Sequence, residues 1–115
     1  QIIWTGYKLV RGAINGILDV SLPPAELGKV EAILHPYEAQ GVTFHALRTR
    51  QAGAQRFVSF HIQVPGSWSV QQGHALLEEI ERQIRHAIEG VTVFTHIEPT
   101  EDPASFEDET LYRAD

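Results

Sequence analysis

The stretch RFVSFHIQV, residues 56 to 64, constrains the fold more than any other part of the chain. Val58, Phe60, Ile62 and Val64 are apolar and alternate strictly with Ser59, His61 and Gln63, the period of a strand covered on one face only. A strand of that kind needs a neighbour to pair with. The preceding segment, VTFHALRTR at residues 42 to 50, supplies one, with QAGAQ between the two as a hairpin loop. If the chain turns about Gly53, positions whose numbers sum to 106 face each other, and His45 meets His61.

Helical signals flank this hairpin. Pro24 to Gln40 reads as a helix with Glu26 and Glu31 early, an apolar stripe at Leu27, Val30, Ile33 and Leu34, and Gly41 to stop it. Pro65 and Gly66 close the second strand. Ser67 to Glu89 then reads as a long helix, with Ser67 or Ser69 as N-cap and a stripe of Val70, Leu77, Ile80, Ile84 and Ile88. Gly90 ends it, and VTVFTHIEP forms a last strand running to Pro99. The order helix, strand, strand, helix, strand predicts an α+β domain, a three-stranded mixed sheet with its helices on one face and a right-handed crossover.

Strand parity then sorts the polar residues. Ser59, His61 and Gln63 face away from the helices. On the last strand Val91, Val93 and Ile97 lie on the covered face, leaving Phe94, His96 and Glu98 on the other. The first strand is ambiguous, because Val42, Phe44 and Ala46 alternate with Thr43, His45 and Leu47, but pairing with His61 puts His45 on the open face too. One uncovered face is thus expected to carry His45, His61, His96 and Glu98 from three strands, close enough to converge on a metal ion. The competing expectation is a half-exposed sheet with solvated polar residues and no function. His74 sits at the margin of the long helix's stripe and reads by itself as a surface histidine. His35 and His86 read as structural or solvated, and Arg48, Arg50 and Arg56 as charges that keep the hairpin soluble.

Composition narrows the chemistry. With no cysteine in 115 residues, disulfides and thiolate sites are out, and a metal would be held by imidazole and carboxylate. The formal charge is −6, and residues 100 to 115 hold six acids against Arg113, a net of −5 that leaves the rest at −1. Without a basic stripe, nucleic acid is not an expected partner. No Gly-rich phosphate loop, GxSxG or HExxH is present, so the chain is not expected to be an enzyme. The open sheet face, with Phe94, Leu47 and Trp68 nearby, suits docking of a second copy.

Ahead of the domain, Ile2, Ile3, Leu9, Val10, Ile14, Ile17 and Leu18 recur at helical spacing and stop before Pro23 and Pro24. Lys8, Arg11, Asn15 and Asp19 interrupt the stretch too often for a bilayer span of about 20 apolar residues. From these residues alone the stretch reads first as an amphipathic helix packed on its own domain or on a partner, and second as the end of a transmembrane helix, because Trp4 and Tyr7 followed by Lys8 and Arg11 is the order found where such a helix leaves the membrane on the cytoplasmic side. Gln1 is not a start methionine, which suggests a fragment. The acidic tail is expected to be disordered.

Three blocks in order, HALRTRQAGAQRFVSFHIQV, QQGHALLEEIERQI and VTVFTHIEP, resemble the cytosolic C-terminal domain of the cation diffusion facilitator family of metal-ion transporters. WTGYKLVRGAINGILDVSLPP resembles the end of that family's sixth transmembrane helix and its linker, so the likeness covers residues 4 to 99. It implies a metallochaperone-like (ferredoxin-like) αββαβ fold that forms a homodimer, with divalent cations bound in and beside the interface. By position His45 and His61 match ligands on the hairpin, His96 matches one on the last strand, and His74 matches a helix ligand supplied across the dimer. Glu98 stands where zinc exporters of the family carry a bridging aspartate, and its extra methylene departs from that pattern. The implied organisation is an N-terminal helix and linker from the membrane domain (residues 1 to 22), a cytosolic metal-binding dimerisation domain (23 to 99) and the tail (100 to 115). The implied function is regulation of proton-coupled efflux in an inner or plasma membrane transporter. Zinc suits imidazole with carboxylate best, and cobalt, nickel, cadmium, iron and manganese are also admitted. Two other classes stay open: a freestanding metal-binding protein or metallochaperone, and a structural dimer whose histidines bind nothing.

Overall fold

The structure is a computed structural model describing residues 1–17 and 21–104. Its elements are α1 (Ile2–Ile17), α2 (Pro24–Leu34), a 3-10 turn (His35–Gln40), β1 (Thr43–Ala52), β2 (Gln55–Val64), α3 (Val70–Ala87) and β3 (Val91–Pro99). The second helix is shorter than expected. Pro36 has no N–H to return to the carbonyl four residues back, so the chain tightens to 3-10 geometry until Gly41, at φ +78°, turns it out.

The sheet order is β1-β2-β3, antiparallel then parallel, which is the expected mixed topology. Val58, Phe60 and Ile62 of β2 are at most 1% exposed and meet Val30, Ile80 and Ile84 of the helices. One expected member of a helix stripe behaves differently. Ile80, Ile84 and Ile88 are buried, but Val70, at the first position of α3, is 90% exposed, and Gly73 takes the inward position beside Ile97. A Cβ on Gly73 would clash with Ile97 Cδ1, so a larger residue there would require the Ile97 side chain to move aside.

Ser69 is the N-cap of α3. Its Oγ accepts from Gln72 N–H at 3.2 Å, while Ser69 N–H donates to Gln72 Oε1 at 2.8 Å, a reciprocal capping box. Ser69→Ala is expected to lower unfolding free energy by about 1 kcal/mol in a urea titration.

The hairpin differs from expectation in two places that cancel. Ala52 pairs with Gln55, so the loop is two residues, Gly53 and Ala54, rather than five, with Gly53 at φ +60°. Pairs next to that turn sum to 107, as in Arg48 with Ser59. Between His45 and Arg48 the register shifts, with Ala46 and Leu47 together opposing Phe60, and beyond this bulge the expected pairing of His45 with His61 is restored. Ala46, at φ +52°, is the one non-glycine residue with positive φ among the described residues.

The bulge also settles the ambiguous parity of β1. Phe44 and Leu47 both pack against the core, Phe44 edge-on to Phe60 with centroids 6.0 Å apart, while Arg48 and Arg50 stay exposed. Leu47 and Trp68 therefore belong to the core side, not to the open face, where Phe94 is 58% exposed. Arg56, hydrogen-bonded from Nε to Glu26 Oε2 at 2.8 Å, is held more firmly protonated by that bond and ties β2 to the start of α2.

Residues Ile2, Ile3, Trp4, Tyr7, Leu9 and Val10 of α1 are all more than half exposed. Among the described residues no helix is long and apolar enough to cross a membrane. Leu22 joins the core, and its N–H donates to Thr49 Oγ1 at 3.2 Å. At the other end the chain turns back after β3: Thr100 N–H donates to the Val64 carbonyl, and Glu101 Oε2 accepts from Gly66 N–H at 2.8 Å. The rest of the acidic tail, 105 to 115, and Leu18 with Asp19 lie outside the described residues.

Candidate metal centre

Three strands deliver the site. His45, His61 and His96 occupy one row across the sheet, because β1 pairs His45 with His61 and β2 pairs His61 with His96. Adjacent rings are 5.0 and 5.1 Å apart between centroids. Glu98 belongs to the next row, opposite Gln63, which pairs with Thr43 and accepts from Thr43 Oγ1 at 2.8 Å. Its carboxylate leans back into the histidine row.

There Glu98 splits its two oxygens between two imidazoles. His45 Nε2 lies 2.8 Å from Oε2, and His61 Nδ1 lies 2.9 Å from Oε1. His96 Nε2 is farther, 3.6 Å from Oε1, with a side chain 65% exposed. One donor atom from each of His45, His61 and Glu98 falls within 4.8 Å of the others. Ligand atoms on a tetrahedral ion with bonds of about 2.0–2.2 Å lie roughly 3.3–3.6 Å apart, so the donors would have to draw together by up to about 1.5 Å to close on one ion.

Burial separates this arrangement from an ordinary polar sheet face. The face assignment of Glu98 holds, but the residue is 8% exposed rather than open to water, and Gln63 beside it is 4% exposed. When His45 donates from Nε2 to Glu98, its Nδ1 is left buried without a hydrogen-bond partner. A buried polar atom left that way costs about 1–3 kcal/mol, and a bound cation relieves such a cost by using the lone pair or by reorganising the ring. The donor set of imidazole and carboxylate is one that suits zinc and its neighbours.

His74 does not join the cluster within one chain. It is 70% exposed on α3, and Glu78 is 3.9 Å away. His74 and Glu98 do line one cleft of about 360 Å³ between the start of α3 and the end of β3, with Trp68, Val70, Leu77 and Ile97. His35 is exposed and pairs with Glu38 at 3.1 Å, away from the site. The burial of Gln63 was not foreseen. The sequence signal was its place on the same face as His61, two residues along.

The sequence pattern of the family described as "Cation efflux protein, cytoplasmic domain" matches residues 22–100. The chain belongs to that family. As a cation efflux domain it is 53% identical over 107 residues to the transporter sll1263 of Synechocystis, which covers 93% of this chain and 34% of the relative. It is 30% identical over 99 residues to the cation-efflux pump FieF of Salmonella arizonae, covering 85% of this chain and 32% of the pump. The chain thus spans about a third of the length of the curated relatives it matches.

Solved cytosolic domains share its architecture. The Zn form of CzrB superposes with a TM-score of 0.63 at 34% identity, over 72% of this chain and 94% of that one. The metal-bound C-terminal domain of the CzcD transporter from Thermotoga maritima gives a TM-score of 0.58 at 26% identity, over 71% of this chain and 99% of that one. The expected α+β fold, with its three-stranded mixed sheet and preceding helix, is that of cation diffusion facilitator cytosolic domains.

Proposed function

We propose that this cation efflux domain is the metal-sensing, dimerising part of a divalent-cation exporter, with zinc as its ion. The observation that carries the proposal is the convergence of His45, His61 and Glu98 within 4.8 Å, around a carboxylate that is nearly buried. His96 stands at the rim of that set, placed to add a ligand on the exposed side. The likeness to the family favours His74 as a ligand from a second copy; within one chain it lines a cleft with Glu98 but lies outside the converging set. Domains related to this one are described in a Zn form and in a metal-bound form, which favours a metal ligand of the same class here. Imidazole with carboxylate also admits cobalt, cadmium, nickel, iron and manganese.

In this reading residues 1 to 22 lead from a membrane portion on the cytosolic face of an inner or plasma membrane, 23 to 99 form the sensor, and the acidic tail follows. The exposed apolar side chains of α1 support that direction of attachment. A bound ion regulates efflux only through its differential affinity for two arrangements of the dimer, so metal affinity and transport state are reciprocally coupled.

Sedimentation velocity over a concentration series, with zinc and then with a chelator, tests the coupling. Zinc is expected to tighten dimerisation about 5–150-fold, the usual range of a coupling between two sites. Identical association in both conditions, together with no calorimetric heat for zinc, would leave only a structural domain.

A further inference from the structure

Within the histidine row, the two outer residues should be equivalent: His45 and His96 flank His61 on the two edge strands of a three-stranded sheet. They are not. The His45 side chain is 9% exposed and that of His96 is 65% exposed. His45 also makes the longer reach, since it touches a carboxylate on β3, two strands and one row away. Strands spaced about 4.8 Å put that distance near 10 Å between backbones. His96, on the same strand as Glu98, is the one that stays at 3.6 Å. What distinguishes His45 is the neighbour that follows it. Ala46 and Leu47 form the bulge, Ala46 is held at φ +52°, and the ring of His45 stands at 89° to that of His61.

We propose that the bulge at Ala46 and Leu47 is a positioning element of the metal site, tipping His45 across β2 to the carboxylate of Glu98. An extra residue in one strand bends it and increases its local twist, and bulges near functional sites re-aim a side chain in this way. With Ala46 present the bulge keeps Leu47 inward and Arg48 outward, but register does not explain why the extra residue is there. If Ala46 were removed, Leu47 would oppose Phe60 directly, His45 would still oppose His61, and Phe44, Leu47 and Thr49 would alternate inward with His45, Arg48 and Arg50 outward. The shortened strand satisfies every burial preference of the sequence without a left-handed alanine. The extra residue, in a conformation disfavoured for a residue with a Cβ, is therefore not required by the packing of β1, and its role is the aim of His45. Ala46 acts through His45 and is a positioning residue, not a ligand.

The inference rests on the metal-binding reading above, and its test separates the two. Zinc titration calorimetry compares the 115-residue chain with Ala46→Gly and with a deletion of Ala46, and imidazole ¹⁵N spectra of the metal-free proteins report the His45–Glu98 hydrogen bond. Ala46→Gly, which accepts positive φ freely, is expected to keep zinc affinity within about threefold, while the deletion lowers it about 10–100-fold, as loss of an outer partner of a metal ligand does. The deletion is also expected to lose the hydrogen-bond signature of His45 while keeping a cooperative melt. Ala46→Val, unchanged in length but β-branched at a left-handed position, is expected to weaken binding in the same direction and serves if the deletion does not fold. A deletion, or failing that Ala46→Val, with wild-type affinity and an intact hydrogen bond overturns the role of the bulge alone. A wild-type chain that takes up no zinc overturns the metal reading and this inference with it.

Discussion

His45→Ala/His61→Ala is expected to abolish calorimetric zinc binding while the domain still folds. Two of the three converging donors are lost, and Glu98, with only an exposed His96 beside it, no longer has a set of ligands to share. The fold survives because neither histidine belongs to the core formed by Val30, Phe60, Ile62, Ile80 and Ile84. Some stability is lost, since the carboxylate at 8% exposure no longer has its 2.8 and 2.9 Å partners. Leaving a buried polar group unmatched costs about 1–3 kcal/mol, which a urea titration resolves. Binding with unchanged stoichiometry and affinity in this variant would sink the site. Glu98→Asp sharpens the result: it keeps the charge but withdraws the carboxylate by about one C–C bond, roughly 1.5 Å, so it is expected to loosen the 2.8 and 2.9 Å contacts and to weaken calorimetric zinc binding less than the double histidine variant does.

Phe60→Ala is expected to have the largest effect on stability. The ring is 1% exposed, sits on the covered face of the central strand, meets Phe44 edge-on at 6.0 Å, and is the residue opposite the bulge. Truncating a buried phenylalanine costs about 3–5 kcal/mol, a large share of the roughly 5–15 kcal/mol that holds a domain of this size together. The melting temperature should fall by more than about 10 °C, given about 4–8 °C per kcal/mol for a small domain. Phe94→Ala is the control from the opposite face of the same sheet. Phe94 is 58% exposed, so its removal should change the stability of the monomer by about 0.5 kcal/mol or less. Equal losses in the two variants would mean that the sheet faces are assigned wrongly.

Most of the architecture was legible because burial imposes a period. The alternation of Val58, Phe60, Ile62 and Val64 with polar residues, and the spacing of Ile80, Ile84 and Ile88, each admit one kind of element, and both were found where expected. The pairing of His45 with His61 was reached from a five-residue loop that does not exist. It held because a shorter turn and an extra strand residue shift the register in opposite senses. The sequence carried a sign of that bulge: Arg48 and Arg50 share parity with Phe44, and a regular strand would have driven two guanidiniums toward the core.

Local pattern, then, was enough to name the elements, the face on which the polar residues lie, and the four side chains from three strands that share it, because apolar periodicity is a property of neighbours along the chain. It was not enough to say that Glu98 is nearly buried, that Val70 is bare while Gly73 faces inward, or that His45 alone of the two outer histidines is drawn inward. Those depend on how rows line up across three strands and on where one strand bends, and each contact joins residues far apart in sequence. Parity along the chain says which face a side chain takes, and only the twist and bulge of the folded sheet decide what it reaches.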